Sequence, residues 1–294
     1  MRVVAHRGNS WVAPENTLAA FEAAWRAGAD SIELDVHLTA DREVVVIHDD
    51  TVDATTDGSG AVGELSLAAV RALDAGVWFG AGFAGQRVPT IAEVLAFLEE
   101  RAGIELLLEL KGSWSADDAR LVTEPLAAAG LTGRVVGQSF LPGTVAALAE
   151  VAPDLRRGLL VLETASALAD VPPDLRRHLP DAPTTTALVD LCRELGVVTC
   201  NPYGPLLARQ PDLVAALHAA GLEVQVWTLD EPADWATAWA ADVDAVITNR
   251  PDRLAGWLAA RDGTRADGGV NGVGGVLPRI VARASMTLRQ PAQT

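Results

Sequence analysis

Residues 3–36 read VVAHRGNSWVAPENTLAAFEAAWRAGADSIELDV. Val3–Ala5 is a predicted strand, and Asn16–Ala27 a predicted helix. Gly28 closes that helix, because glycine enters the left-handed region without a Cβ clash. Ser31–Val36 is the next strand. Strand, helix and strand in so short a span form a βαβ unit, whose two strands run parallel.

The unit recurs along the chain. Further strands are expected at Glu43–Ile47, Ile104–Leu110, Arg134–Gln138, Gly158–Leu162, Val197–Cys200, Glu223–Thr228 and Ala245–Thr248. Helices are expected at Thr90–Arg101, Ser115–Ala129, Gly143–Val151, Thr185–Leu195, Pro211–Ala220, Pro232–Ala241 and Pro251–Arg261. About eight such repeats imply an α/β fold of the TIM (β/α)8 barrel type. No GxGxxG follows the first strand, which weakens an open dinucleotide-binding sheet. The polar, Gly- and Asp-rich stretch His48–Val88 breaks the rhythm and reads as a small insertion after the second strand, over residues 50–88. Residues 1–261 are expected to form one domain. Residues 262–294, with GGVNGVGG and no period, are expected to form a disordered tail.

The chain has 294 residues, about half of them hydrophobic, enough for a large core. Its formal charge of −16 repels phosphate backbones and anionic membranes at long range. Nucleic acid and stable membrane anchoring are therefore not expected as partners. A small phosphate substrate is still compatible, because a bound divalent cation inverts the local field. Cys192 and Cys200 are too few for a disulfide framework and read as buried thiols. No apolar run reaches the ~20 residues of a membrane span. MRVVAHRG lacks the apolar core of a signal peptide, so a cytoplasmic address is expected. The oligomeric state is not legible.

In a barrel of this kind, chemistry gathers at the C-terminal ends of the strands. Four consecutive segments end in ionisable residues: His6-Arg7, Glu33-Leu34-Asp35, His48-Asp49 and Glu109-Leu110-Lys111. Glu33 and Asp35, two apart on a strand, face the same side. Buried like charges need a neutralising partner, and a divalent cation supplies one, with Glu109 as a third ligand. All-oxygen ligands suit Mg²⁺, Mn²⁺ or Ca²⁺ better than Zn²⁺. The other reading is that these acids form structural salt bridges with Arg7 and Lys111. His6 and His48 are the natural acid–base pair, since imidazole titrates near neutral pH. Arg7 and Lys111 suit phosphate oxygens. Glu15 and Asn16 open the first helix, where Asn16 or Thr17 would cap it and Glu15 could reach back to Arg7 or a histidine. Phe140 and Trp227 stand where they could pack against the apolar part of a substrate. Asn249 is a weak candidate for a polar rim contact. His37, His178 and His218 lack strand-end placement beside the acids.

Together these residues resemble the glycerophosphodiester phosphodiesterases. The resemblance rests on HRGNSWVAPENTLAAF (6–21), GADSIELDVHLTADREVVVIHDDTVDATTDGSG (28–60), VPTIAEVL, LLLELKG, QSF, VQVWTLD and DAVITNRPD. It implies a TIM barrel with a small lobe after the second strand, and one divalent metal ion (Mg²⁺ or Ca²⁺) on Glu33, Asp35 and Glu109. It also implies His6 and His48 as general acid and base, with Arg7 and Lys111 on the phosphate. The expected reaction converts a small glycerophosphodiester to an alcohol and glycerol 3-phosphate. The alternatives are a phospholipase D-like enzyme on the same fold, acting on lysophospholipids or forming a cyclic product as in sphingomyelinase D relatives, and a non-catalytic barrel that binds a phospho-ligand. Ala54 stands where many members carry Arg, and residues 141–196 match none of the quoted motifs.

Overall fold

The computed structural model describes residues 1–162 and 184–267, with side chains to residue 261. Residues 163–183, including His178, and residues 268–294 of the expected tail lie outside the described residues. Nine strands form one sheet: β1 Arg2–His6, β2 Ser31–Leu38, β3 Val44–Val46, β4 Glu105–Leu110, β5 Val135–Ser139, β6 Arg156–Val161, β7 Thr199–Pro202, β8 Glu223–Val226 and β9 Ala245–Thr248. Eight pair in parallel, in the order β1-β2-β4-β5-β6-β7-β8-β9, and β9 pairs with β1 to close the barrel. Closure removes every free edge among those eight.

β3 departs from the sequence pattern. It is the return arm of a hairpin, antiparallel to β2, with Val36 opposite Val46 and Leu38 opposite Val44. Its three valines are buried, so its composition resembles that of a barrel strand. The few residues between β2 and β3 allow a hairpin but no parallel crossover, which needs a dozen or more. The return arm brings Ile47 N–H to within 3.1 Å of the Asp35 carbonyl and so carries His48 back to the barrel mouth.

Helices pack outside the strands for ordinary local reasons. Leu18–Arg26 starts at Thr17, whose hydroxyl accepts from Ala20 N–H. Ile91–Glu100 starts with a reciprocal capping box between Thr90 and Glu93. At its far end, Arg134 donates to the carbonyls of Leu98 and Arg101 and to that of Ile104 just before β4, tying the helix end to the strand that follows. The expected helix at Pro211–Ala220 is found as Leu213–Ala219, and a short helix that the pattern did not predict, Leu206–Arg209, precedes it. The last helix runs Pro251–Asp267, past the end expected from sequence.

Most of the core lies between strands and helices, with Phe21, Leu34, Leu98, Leu108 and Leu148 fully buried. A second, smaller core fills the barrel itself: Val4, Leu107, Val136, Ala245 and Ile247. Below it, residues from alternate strands form a charged layer. Arg2 of β1 contacts Glu223 of β8 and lies 3.7 Å from Glu105 of β4, which Arg156 of β6 meets at 3.2 Å. The insertion after β3 has its own cluster around Val52, Val62, Val70 and Val88. Asp74 ties its loop by accepting from the backbone of Gly76, Val77 and Gly85. Cys192 and Cys200 are buried free thiols. Among the described residues no helix is long and apolar enough to cross a membrane.

Candidate active site

Strand register assembles the site. His6 sits level with Glu33 across β1 and β2, and Asp35 level with Glu109 across β2 and β4. Glu33, Asp35 and Glu109 are all buried, and each offers a carboxylate oxygen within 4.8 Å of the others. They belong to one pocket, which also contains His6, Arg7, His48 and Lys111. The structure thus brings together the acids, histidines and cations singled out in the sequence.

The HRG turn positions the first cation. Arg7 lies in the left-handed region at φ 55°, and Gly8 follows at φ 84°. A Cβ on Gly8 would come within 2.6 Å of the Ala20 backbone, so only glycine fits there. The turn aims Arg7 N–H at Glu33 (3.1 Å) and its Nη1 at Glu15 (2.7 Å), with Nε 3.5 Å from Asp35. Lys111 Nζ lies 2.9 Å from Glu109 and 3.7 Å from Asp35. Asn16, also left-handed at φ 54°, leaves the helix cap to Thr17 and donates to Asp35 at 2.9 Å.

The charges do not balance. Four carboxylates, Glu15, Glu33, Asp35 and Glu109, share two cations, Arg7 and Lys111. Burial, reinforced by Asp35 and Glu109, pushes the Glu33 carboxyl well above the usual range. Burial also raises Glu109, although Lys111 opposes it. Burial would raise Asp35 too, but Lys111, His48 and Arg7 outweigh it and hold that carboxyl low. Both cations stay charged against burial, Arg7 through Asp35, Glu15 and Glu33, and Lys111 through Glu109 and Asp35. Salt bridging alone leaves this cluster negative. A divalent cation among three hard oxygen ligands would neutralise the excess, so the donor set fits such an ion.

The two imidazoles have different partners. His6 Nδ1 is 2.7 Å from Asn249 Oδ1. Asn249 spends its own amide nitrogen on Asp230, at 2.6 Å, and its backbone N–H on the same carboxylate, at 2.8 Å. The Asn249 carbonyl therefore faces His6 and calls for a proton on Nδ1, leaving Nε2 as the lone pair of the neutral ring. Burial and the neighbouring Arg7 push His6 down to about 3. His48 Nδ1 instead meets the Asp49 carboxylate at 2.7 Å, and its carbonyl accepts from His37 Nε2 at 3.0 Å.

Sequence reasoning underrated Asn249, named Asp49 without giving it a role, and assigned none to Asp230, Gln138 or Asn201. Asp49 adjoins His48 and Gln138 opens the QSF motif, which were the available signals. An Asn before Arg-Pro is ordinary turn chemistry, and the signal for Asp230 was its place at the end of the VQVWTLD motif. His218 pairs with Asp244, just before β9, at the opposite end of the barrel. On the far wall of the pocket, Phe140 packs against Trp227 edge to face at 5.5 Å, and Tyr203 lies 5.2 Å from the same indole. Trp227 Nε1 is anchored on the Asn201 carbonyl at 2.7 Å.

Comparison with known proteins points one way. A profile of the glycerophosphoryl diester phosphodiesterase family matches residues 6–253. The glycerophosphodiester phosphodiesterase of Caldanaerobacter subterraneus is 34% identical over 86% of this chain and 95% of its own. A 112-residue stretch is 54% identical to YhdW of Bacillus subtilis, covering 38% of this chain and 45% of that protein. Among solved structures, an Oleispira antarctica phosphodiesterase in complex with its product sn-glycerol 3-phosphate superposes with a TM-score of 0.75. It is 26% identical over 88% of this chain and 97% of its own.

Proposed function

Since the chain belongs to the glycerophosphoryl diester phosphodiesterase family, we propose that it hydrolyses small glycerophosphodiesters to an alcohol and glycerol 3-phosphate at the mouth of its barrel. Residues 1–261 would be the catalytic domain. The observation that carries this reading is the buried triad Glu33, Asp35 and Glu109, gathered within one ion's reach in a pocket with two histidines and two cations.

Glu33, Asp35 and Glu109 would hold one divalent cation, Mg²⁺ or Ca²⁺, which when bound offsets their charge and polarises the phosphoryl group. Arg7 and Lys111 bind phosphoryl oxygens and stabilise the charge that develops on them. Glu15 and Asn16 orient Arg7 and Asp35 respectively. Phe140 and Trp227 form an apolar wall for the carbon skeleton of the substrate.

The partners of the two imidazoles support different roles for them. His6, neutral and donating Nδ1–H to Asn249, turns Nε2 to the site as general base. The anionic phosphodiester raises the basicity of that nitrogen on entry. His6 then takes the proton of the nucleophile, water or the glycerol hydroxyl; in the second case water must afterwards open the cyclic phosphate to give glycerol 3-phosphate. His48, hydrogen-bonded to Asp49, is the general acid: its Nε2 gives a proton to the departing alcohol oxygen while Asp49 stabilises the imidazolium.

The test is hydrolysis of glycerophosphocholine with Mg²⁺ or Ca²⁺, with and without EDTA. The expected result is metal-dependent release of choline and glycerol 3-phosphate. Accumulation of a persistent cyclic phosphate, or equal activity in EDTA, would overturn the proposal.

A further inference from the structure

Gln138 lies on the pocket floor and has no role in the scheme above. Its register partner on β4 is Glu109, and its side chain is 1% exposed. Asn201 of β7 donates Nδ2–H to Gln138 Oε1 at 2.6 Å. That bond fixes the amide plane, so Nε2 is the free end. Nε2 makes no hydrogen bond among the described residues, although Gln138 lines the pocket.

The surroundings of that donor differ from the metal side of the pocket. The cations pair with the acids of β2 and β4 and with Glu15. Gln138 stands on β5, toward Leu160 and the Phe140–Trp227 wall. A neutral donor among apolar walls suits a neutral oxygen, such as the hydroxyl of a short polyol, whose C–H faces lie against the rings. A phosphoryl oxygen would be better met by Arg7 and Lys111. A buried donor that needs a hydroxyl also discriminates strongly against ligands lacking one.

We infer that Gln138, locked by Asn201, is a specificity-determining residue: its Nε2–H donates to a hydroxyl of the substrate's glycerol unit. The inference rests on the hydrolase reading above, but its test needs no turnover. Binding of sn-glycerol 3-phosphate and of propyl phosphate, which lacks both hydroxyls, is measured by calorimetry on the metal-loaded protein. The native protein should prefer glycerol 3-phosphate by roughly tenfold or more, the scale of a hydrogen bond in a desolvated site. Gln138→Met should erase most of that preference and leave propyl phosphate within about twofold of native, since only a hydroxyl contact is lost. If methionine leaves Asn201 unpaired and the barrel unstable, Gln138→Met with Asn201→Leu removes both polar partners and should give the same ratio. Equal native affinities, an unchanged ratio, or equal weakening of both ligands would overturn the inference. The last would place the amide on the phosphate or the metal. Native preference for glycerol 3-phosphate without metal-dependent turnover would instead sink the hydrolase reading and leave the Gln138 contact standing.

Discussion

His6 and Asn249 lie 243 residues apart in the chain, yet His6 Nδ1 and Asn249 Oδ1 are 2.7 Å apart, because β9 closes the barrel against β1. Asp230 holds Asn249 from behind with two bonds. This relay presents one tautomer of His6 to the pocket. Asn249→Leu should lower kcat by about 10- to 100-fold, the usual scale for an orienting partner, with little change in KM. Steady-state kinetics checks this, and ¹⁵N chemical shifts of His6 should show loss of the fixed Nδ1–H tautomer. Native kcat would refute the relay.

His6→Ala and His48→Ala should each reduce kcat by roughly 10²- to 10⁴-fold without loss of fold. The two should differ with leaving group. A substrate with an acidic leaving alcohol, such as bis(p-nitrophenyl) phosphate, should rescue His48→Ala more than His6→Ala, because only the general acid becomes dispensable. Rescue in the opposite order would exchange the two roles.

Burial, Asp35 and Glu109 hold the Glu33 carboxyl well above its ordinary range. Its folded pKa lies above the ordinary 4.5, so between these two values the folded protein carries a proton that the unfolded chain lacks. Stability therefore falls as pH rises through that window. In EDTA, Glu33→Gln should remove this loss, so its Tm should exceed that of the native protein above the window and the difference should shrink as pH falls through it. The same variant should lose metal binding. Thermal unfolding against pH, with and without metal, tests both halves.

Metal uptake should expel the proton that Glu33 holds. Calorimetry of Mg²⁺ or Ca²⁺ binding in buffers of different ionisation enthalpy should report proton release at pH values below the raised pKa of Glu33 and none above it. Apparent affinity should then rise with pH until Glu33 is ionised. A buffer-independent heat would show that the carboxylates are already charged.

Glu105 stands between Arg2 and Arg156 at the foot of the barrel. Its side chain is 40% exposed, so solvent screens the pairs. Glu105→Ala should cost about 1 kcal/mol in denaturant unfolding and leave kcat and KM unchanged. A large kinetic effect would mean that the two ends of the barrel communicate.

Much of the fold was legible because barrel strands and helices differ in period and in punctuation. The last β-strand, Ala245–Thr248, and the helix Thr185–Leu195 lie where the pattern predicts. The segment before His48 was harder to read. Three buried valines look alike in a barrel strand and in the return arm of a hairpin, and only pairing with β2 distinguishes them. Asn16 was legible as a residue of the helix start but not as the partner of Asp35, since a cap motif says nothing about what lies 19 residues away.

The amino-acid order by itself determined which chemistry was available: three acids, two imidazoles and two cations at strand ends, where alternation aims Glu33 and Asp35 to one side. It could not determine the charge balance, the proton on His6 or the direction of the Gln138 amide. Those depend on burial and on contacts between β1, β5, β7 and β9, strands far apart in the chain. Desolvation and hydrogen bonding act through space, so only the closed barrel decided them.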